Sequence, residues 1–170
     1  MPAAAPRAGS SSPPAAPASL REELGKRGDF ESSEQEAYLN IVRTASQLAA
    51  DFDRLFAEFG LSESLYNTLR IVAGHGRAGV RSQTIAQHLV SRGPDVTRIV
   101  DRLVKRELVD RCPCEQDRRV VHVCLTRAGR TLLAKMRPAV ADLHRRQLSH
   151  LDDEQLHTLN RLLFAARHNA

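Results

Sequence analysis

The sequence predicts a mainly α-helical protein with a single β-hairpin, and two periodicities support that fold class. Apolar residues recur every three or four positions in six segments, which is the spacing of an amphipathic helix. One segment, residues 107–126, instead joins a charged turn to a run of alternating side chains, which indicates strands. Four helices are predicted before this hairpin and two after it.

The start of the 170-residue chain differs in composition from the rest. Residues 1–19 contain Pro, Ala, Ser and little else, and such a segment cannot bury an apolar core. Residues 20–24 are charged and predict one or two helical turns. We therefore expect residues 1–32 to be a disordered tail that includes a short helix.

A long amphipathic helix is predicted over residues 33–60. Ser33 and Glu36 match the capping box that begins many helices, and Gly60 is suited to end one. The apolar stripe of this helix is richer than one small domain needs. We expect it to be an N-terminal dimerisation helix.

Residues 61–126 predict a winged helix-turn-helix, that is, three helices followed by a hairpin called the wing. Ser62 caps the first helix, Ser82 begins the second, and Pro94 suits the first position of the third, at 94–106. This arrangement offers one helix to the major groove of DNA and an arginine of the wing to the minor groove. We call residues 61–126 the winged lobe, or the lobe for short, and predict that it binds double-stranded DNA.

The end of the chain predicts two more helices. Thr126 caps the first of them, at 127–149, in which Pro138 should produce a kink. Asp152 begins the second with a capping box. Because an operator with two-fold symmetry needs a two-fold protein, we expect residues 127–170 to form C-terminal dimerisation helices.

The positive charge is concentrated in the predicted lobe. The chain has a net charge of +5, whereas residues 62–130 alone hold 13 Lys/Arg and 7 Asp/Glu, a net charge of +6. Neutralisation of DNA phosphates requires such a distribution, although a solvated charged surface is the alternative. Aromatic residues are only 4% and Trp is absent, which argues against a stacking platform for single-stranded nucleic acid.

Other classes of protein have little support in the sequence. No apolar run is long enough to span a bilayer and no signal core begins the chain, so we expect a cytoplasmic protein with no membrane partner. Three cysteines do not make a disulfide framework. No phosphate loop, nucleophile elbow or HExxH motif is present, so we expect no enzyme, no cofactor and no metal site.

The sequence resembles the MarR family of bacterial transcriptional regulators over roughly residues 34–168. The resemblance rests on four segments in a fixed order, VTRIVDRL at 96–103, LVDR at 108–111, DRR at 117–119 and VCLTRAGR at 123–130. It implies a homodimer in which each subunit carries a winged lobe. It also implies a repressor that leaves DNA when a small, often anionic aromatic effector binds between lobe and dimer core. Some members instead sense oxidants through a cysteine.

This chain departs from the family pattern at one position. The family usually has Gly where this sequence has Glu107, just after the predicted recognition helix. Any residue other than Gly is strained in the left-handed conformation that such a helix end favours. The departure concerns the local turn and leaves the predicted fold unchanged.

Ten residues are predicted to contact DNA. Arg98 donates two hydrogen bonds to guanine and Thr97 meets a thymine methyl or a phosphate, whereas the residues further along the helix and on the preceding helix contact phosphates. Asp95 either accepts a hydrogen bond from cytosine or shapes the turn in which it lies. Ser82 either contacts a phosphate or caps the helix that it begins. The full set is Ser82, Gln83, Asp95, Thr97, Arg98, Arg102, Lys105, Asp117, Arg118 and Arg119.

The wing carries three of these residues. Asp117 and Arg119 match the Asp-x-Arg motif of the family, in which the arginine enters a narrow minor groove. Asp117 would orient the turn, and Arg118 would take a phosphate. The alternative is an exposed charged hairpin without a partner.

Two further sets of residues are candidates for regulation. Tyr66 and Arg70 lie one helical turn apart, so that Arg70 could hold the carboxylate of an effector and Tyr66 its ring, although a packing tyrosine and a surface arginine are the alternative. The cysteines Cys112, Cys114 and Cys124 would form a disulfide near the wing on oxidation. A metal site with these thiols is disfavoured because the usual Cys-x-x-Cys spacing is absent.

The predicted function is therefore a sequence-specific regulator, most simply a ligand-responsive repressor that binds a palindromic operator. Two alternatives remain open at this point. One is a regulator that senses oxidants through its cysteines. The other is an architectural DNA-binding protein that does not switch.

Overall fold

The computed structural model describes residues 19–90, 95–113 and 120–168. Within these ranges it is mainly helical, with one antiparallel hairpin between the fifth and sixth helices, so the predicted fold class is confirmed. The elements in order are α1 (Leu20–Glu23), α2 (Ser33–Glu58), α3 (Glu63–Gly74), a 3₁₀ turn (Gly76–Ala78), α4 (Ser82–His88), α5 (Val96–Lys105), β1 (Val109–Pro113), β2 (Val121–Leu125), α6 (Arg127–Leu148) and α7 (Asp153–Arg167).

The chain divides into two compact units, residues 1–46 and residues 47–170. In the first unit, α1 is a single turn capped by the Ser19 side chain, which accepts from the Glu22 amide. The guanidinium of Arg43 on α2 donates to the Glu23 carboxylate at 2.6 Å. The disordered tail predicted for residues 1–32 lies outside the described residues over positions 1–18.

The cap of α2 lies one residue before the predicted one. The Ser32 hydroxyl accepts from the Gln35 amide at 3.2 Å, and the Gln35 side chain accepts from the Glu31 amide at 2.9 Å. The predicted cap at Ser33 is therefore wrong. The sequence contains two overlapping capping-box patterns, and the earlier one lets the side chains satisfy two amides that would otherwise lack partners.

The other end of α2 follows the prediction and also contacts α5. Gly60 has a φ of 67°, and the Leu61 amide donates to the Phe56 carbonyl at 2.9 Å, which closes the helix end. The Arg106 guanidinium, just after α5, donates to the Gly60 carbonyl and, at 3.3 Å, to the Phe59 carbonyl. One side chain thus satisfies two carbonyls at the end of α2.

The core of the lobe is formed around α3. Leu69 and Val72 are completely buried on this helix, and α3 packs on α4, α5, α6 and β2. Each of these neighbours contributes apolar side chains to the same cluster, so the hairpin and the helices share one core. The buried contributors from outside α3 include Ile85, Val100, Leu103, Val109, Val123 and Met136.

The start and the end of α5 show how the sequence fixes this helix. The Asp95 side chain caps it by accepting from the Arg98 amide at 3.2 Å, so the helix begins at Val96, two residues after the predicted start at Pro94, which lies outside the described residues. At the other end Glu107 has a φ of 57°. The left-handed turn expected of Gly is therefore formed with Glu, because the Glu107 amide donates to the Val104 carbonyl at 2.8 Å and the Leu108 amide to the Leu103 carbonyl.

The wing is a hairpin whose two strands are linked covalently. In the antiparallel register, Cys112 lies opposite His122 and Asp110 lies opposite Cys124. A disulfide joins Cys112 to Cys124, whose Cα atoms are 6.3 Å apart. An odd number of cysteines predicted no disulfide framework, and the structure contains this single cross-strand bond because the register brings these two side chains to one face of the hairpin.

The two C-terminal helices begin as predicted. Thr126 caps α6 by accepting from the Gly129 amide, and Asp152 with Gln155 forms the capping box of α7. The helix α6 continues through Pro138. No helix among the described residues combines the length and the hydropathy that a membrane crossing requires.

Candidate nucleic-acid interface

One face of α5 is buried and the other is polar and exposed. Ile99, Val100 and Leu103 pack into the core of the lobe, which directs the opposite face of the helix to solvent. The exposed residues of that face are Asp95, Thr97, Arg98, Asp101, Arg102 and Lys105. Five of the predicted DNA-contacting residues therefore lie together on one accessible surface.

Asp95 and Arg98 are paired at the start of this surface. Besides capping the helix, Asp95 places its second carboxylate oxygen 3.3 Å from Arg98 Nε. The Arg98 side chain remains 86% exposed, so this ion pair contributes little stability. Of the two roles predicted for Asp95, the structure contains the one that shapes the turn.

On α4 the predicted phosphate contacts are exposed at the first turn. Ser82 and Gln83 are both accessible, and the helix is preceded by Arg81 at the cap position. No side chain caps this helix, so the alternative cap role of Ser82 is wrong. Both side chains thus remain available to a ligand.

The tip of the wing lies outside the described residues, and with it Cys114, Asp117, Arg118 and Arg119. In the described part of the wing, Arg111 on β1 forms an ion pair with Asp101 on α5, at 2.6 Å. Sequence reasoning missed this pair, because the two residues are ten positions apart and meet only once the strand folds back along the helix.

The face of the wing that carries His122 and Cys124 lies against the 3₁₀ turn and Gly79. The φ of 68° at Gly79 is left-handed, and an added Cβ would lie 2.5 Å from Cys124 Sγ and 2.8 Å from the Val123 carbonyl oxygen. His122 Nδ1 lies 2.8 Å from the Ala78 carbonyl oxygen. Only Gly permits this approach, and the wing is therefore fixed to the lobe at its base.

Tyr66 and Arg70, the candidate effector residues, line one cleft of about 530 Å³ between α2, α3 and α6. Its walls are largely aromatic and apolar, and its charged lining residues are Arg70, Arg137 and Glu63. Sequence reasoning missed most of the lining, because residues of α2 and α6 meet α3 only in the fold. These missed residues include Phe52, Phe56, Arg137, Val140 and His144.

The rings in the cleft contact one another. Phe56 stacks on Tyr66 with ring centroids 4.5 Å apart, and Phe52 lies 4.6 Å from the His144 ring. Burial raises the pKa of Tyr66, and the nearby Arg70 partly opposes this shift. The phenol is therefore neutral near pH 7 and available as a hydrogen-bond donor. Such a cleft combines apolar walls with cationic groups, as the binding of an aromatic anion requires.

Comparisons with known proteins support a regulatory family. A model of the MarR family matches residues 61–121. The HTH-type transcriptional repressor IacR of Pseudomonas putida is 26% identical over 129 residues, which are 76% of this chain and 76% of IacR. BpsR of Bordetella bronchiseptica, whose DNA binding is regulated by 6-hydroxynicotinic acid, shares the fold, with a TM-score of 0.71 at 22% identity over 84% of this chain and 100% of that one.

A solved MarR transcription factor from Planctomyces limnophilus is more similar in sequence. It is 42% identical to this chain, the match covers 79% of this chain and 98% of that chain, and the TM-score is 0.61. This identity extends over nearly the whole of that protein and includes the winged lobe described above. The chain therefore belongs to the MarR family of transcriptional regulators.

Proposed function

We propose that this regulator is a repressor that binds a palindromic operator as a homodimer and leaves it when a small aromatic anion binds. The observation that carries the DNA-binding part is the exposed face of α5, where Thr97, Arg98, Arg102 and Lys105 lie on one surface. Arg98 and Thr97 would contact bases, and Arg102 and Lys105 phosphates. Such a regulator acts on chromosomal DNA, so we place it in the cytoplasm.

The wing and α4 would complete the interface. Arg119 would enter the minor groove, Asp117 would orient it, and Arg118 would contact a phosphate. Ser82 and Gln83 would contact phosphates from the first turn of α4. The Asp101–Arg111 ion pair supports this proposal, because it ties the strand that leads into the wing tip to the recognition helix.

The homodimer is supported by apolar side chains that are exposed in the single chain. On α7, Leu162 and Phe164 are 56% and 59% exposed, and on α2 Tyr38 is 65% exposed. Large apolar residues in this number on terminal helices are typical of an association surface. We propose that residues 33–60 and 127–170 contribute the dimer interface and that residues 61–126 form the DNA-binding lobe.

The DNA-binding part is tested by selecting duplexes from a random-sequence pool and measuring affinity at fixed salt. We expect an inverted repeat whose half-sites are about 10 base pairs apart, centre to centre. Arg98→Ala should weaken binding to the selected duplex by roughly 1–3 kcal/mol. Arg54→Ala is the matched control, because Arg54 is an exposed arginine that pairs with Asp51 on α2.

The same titration separates a regulator from an architectural protein. A regulator binds its selected duplex far more tightly than a scrambled one, by a factor of roughly 10³ or more. Equal affinity for the selected and scrambled duplexes would contradict the proposal and favour an architectural binder.

The effector part concerns the cleft that Tyr66 and Arg70 line. BpsR is regulated by 6-hydroxynicotinic acid, an aromatic acid of the chemical class that this cleft suits. We expect 6-hydroxynicotinate and benzoate to raise the melting temperature by mass action, and neutral benzamide to do so much less. Arg70→Ala should abolish the difference between acid and amide, whereas Arg146→Ala, an exposed arginine outside this cleft, should preserve it.

Two results would contradict this assignment. One is an equal response to benzoate and benzamide in the unmodified protein. The other is an unchanged preference for the acid after Arg70→Ala. Titration of the complex between the protein and its selected duplex, with the acid that raises the melting temperature, then measures the release of DNA directly.

A further inference from the structure

The disulfide of the wing joins the two strands diagonally, on the face opposite to the one that carries the buried Val109 and Val123. Cys112 lies opposite His122, and Cys124 lies opposite Asp110 two positions away. Diagonal neighbours on one face of an antiparallel pair lie within reach of each other, and the 6.3 Å between the Cα atoms falls in the range that disulfides span. The bond therefore fits the register of a fully paired wing.

The surroundings of the two cysteines restrict what the sulfur atoms can do. Cys124 Sγ lies 3.9 Å from the Arg77 carbonyl oxygen, and the site of an added Cβ on Gly79 lies 2.5 Å from the same sulfur. Cys112 Sγ lies 3.6 Å from the His122 carbonyl oxygen. Both residues are only partly exposed. The position thus holds two sulfur atoms close together and leaves little room for a bulky adduct on Cys124.

The sequence between the two cysteines contains the proposed minor-groove residues. Asp117, Arg118 and Arg119 all lie within the 12-residue separation of Cys112 and Cys124. The bond therefore closes a covalent loop whose tip is the segment that we propose binds DNA. A disulfide that closes such a loop removes conformations from that segment.

We propose that Cys112 and Cys124 are an oxidisable thiol pair, and that formation of their disulfide tightens operator binding. This inference rests on the proposed function. Disulfides in proteins that work in a reducing compartment are usually transient and sense oxidants. The pair thus adds an oxidation site to the wing, separate from the effector cleft.

The oxidant would be a hydroperoxide, which reacts with the thiol pair in two steps. One thiolate attacks the peroxide, so that an S–O bond forms, the O–O bond breaks and the alcohol or water leaves. The second thiol then attacks this sulfur, so that the S–S bond forms, the S–O bond breaks and water leaves. Two thiols and one hydroperoxide give one disulfide, one alcohol and one water. A dithiol reductant reverses the oxidation by thiol–disulfide exchange.

The direction of the effect follows from the size of the wing. Each strand has five residues, and a hairpin of two short strands is only marginally stable by itself. The reduced wing must lose more conformational freedom when its tip meets DNA, whereas the oxidised wing has already lost part of it. We expect the oxidised protein to bind the selected duplex roughly three- to tenfold more tightly.

The first experiment tests the chemistry without DNA. The full chain has three cysteines, so, after unfolding in guanidinium chloride, the reduced form should react with three equivalents of iodoacetamide and the peroxide-treated form with one. Peptide mass spectrometry should find Cys112 linked to Cys124. Cys114→Ser is the matched control and should still form the bond, whereas Cys112→Ser should not. A bond that involves Cys114, or no bond at all, would overturn the proposal.

The second experiment measures the affinity of reduced and oxidised protein for the duplex selected above. We expect tighter binding by the oxidised wild type and by oxidised Cys114→Ser, and no response to peroxide in Cys112→Ser. Equal affinity in both redox states, or weaker binding on oxidation, overturns the inference while the proposed function stands. If neither the reduced nor the oxidised protein prefers any duplex, the proposed function itself is refuted, and with it the proposed tightening of DNA binding on oxidation.

Discussion

In the winged lobe the large apolar side chains are buried, whereas on α7 they are exposed. Leu65, Leu69 and Leu103 are at most 1% accessible, but Leu162 and Phe164 are more than half accessible. The lobe therefore has a core within one chain, and α7 buries no residue of its own. The difference shows that the lobe holds the core of the single chain, and it supports the proposal that α7 contributes to a dimer interface.

The largest expected effect comes from a change inside the lobe. An added Cβ at Gly129, in the first turn of α6, would lie 2.1 Å from the Leu108 carbonyl oxygen, which cannot move without the strand. Gly129→Ala should therefore reduce the free energy of unfolding by about 3 kcal/mol, near the upper end for overpacking. Gly74→Ala is the control, because no atom lies within 4 Å of its added Cβ.

Urea unfolding followed by circular dichroism measures both variants. We expect Gly74→Ala, at the last residue of α3, to leave the free energy of unfolding unchanged or to raise it by up to about 1 kcal/mol, because Ala favours a helix over Gly. If Gly129→Ala were equally harmless, the contact between α6 and the wing would not be the rigid part of the lobe that the structure describes.

A charge on α7 should affect association while leaving the fold of the subunit intact. Leu162→Glu should weaken the homodimer by about 1.5–3 kcal/mol per buried leucine, because a carboxylate would replace an apolar group in the interface. Asn160→Glu, an exposed polar position on the same helix, is the control for added charge. Sedimentation velocity over a dilution series measures both. A wild-type chain that sediments as a monomer would contradict the proposed homodimer.

The wing arginine should affect DNA binding alone. Arg119→Ala should weaken binding to the selected duplex by roughly 1–3 kcal/mol, since a minor-groove contact would be lost. The dimer and the free energy of unfolding should be unchanged. A mobility-shift titration at fixed salt with an affinity equal to wild type would refute the role assigned to Arg119.

The smallest effect is expected at the end of the recognition helix. Glu107 has a φ of 57°, which costs about 1–2 kcal/mol for a residue with a Cβ. Glu107→Gly should raise the free energy of unfolding by about 0.5–1 kcal/mol. Gly removes the backbone strain, but this gain is partly offset because Gly loses more conformational entropy on folding. Glu107→Ala keeps the strain and should give no gain. Equal stability of the Gly and Ala variants would show that the turn is relaxed.

Sequence reasoning was successful where local chemistry decides the structure. The caps at Ser62, Thr126 and Asp152 depend on side chains within a few positions of the amides they bind, and each forms as predicted. The starts of α2 and α5 were wrong by one or two residues. In both places a neighbouring side chain, Ser32 or Asp95, could also cap the helix, and local pattern alone does not choose between adjacent caps.

Contacts between segments far apart in the chain could not be predicted from the sequence. The Asp101–Arg111 ion pair and the approach of Gly79 to Cys124 depend on how the strands return to the helices. The effector cleft is similar, since Tyr66 and Arg70 were identified on one helix while its other walls come from elements far along the chain. Periodicity shows which face of an element is apolar, but it does not show what that face meets.

Arg106 connects the end of α5 to the last carbonyls of α2, near Phe59 and Gly60. Because Phe52 and Phe56 of the same helix line the cleft, a molecule that displaces this part of α2 also displaces the two oxygen atoms that hold the guanidinium. In the proposed repressor, the position of α5 would then change through a single side chain, without any contact between the bound molecule and DNA.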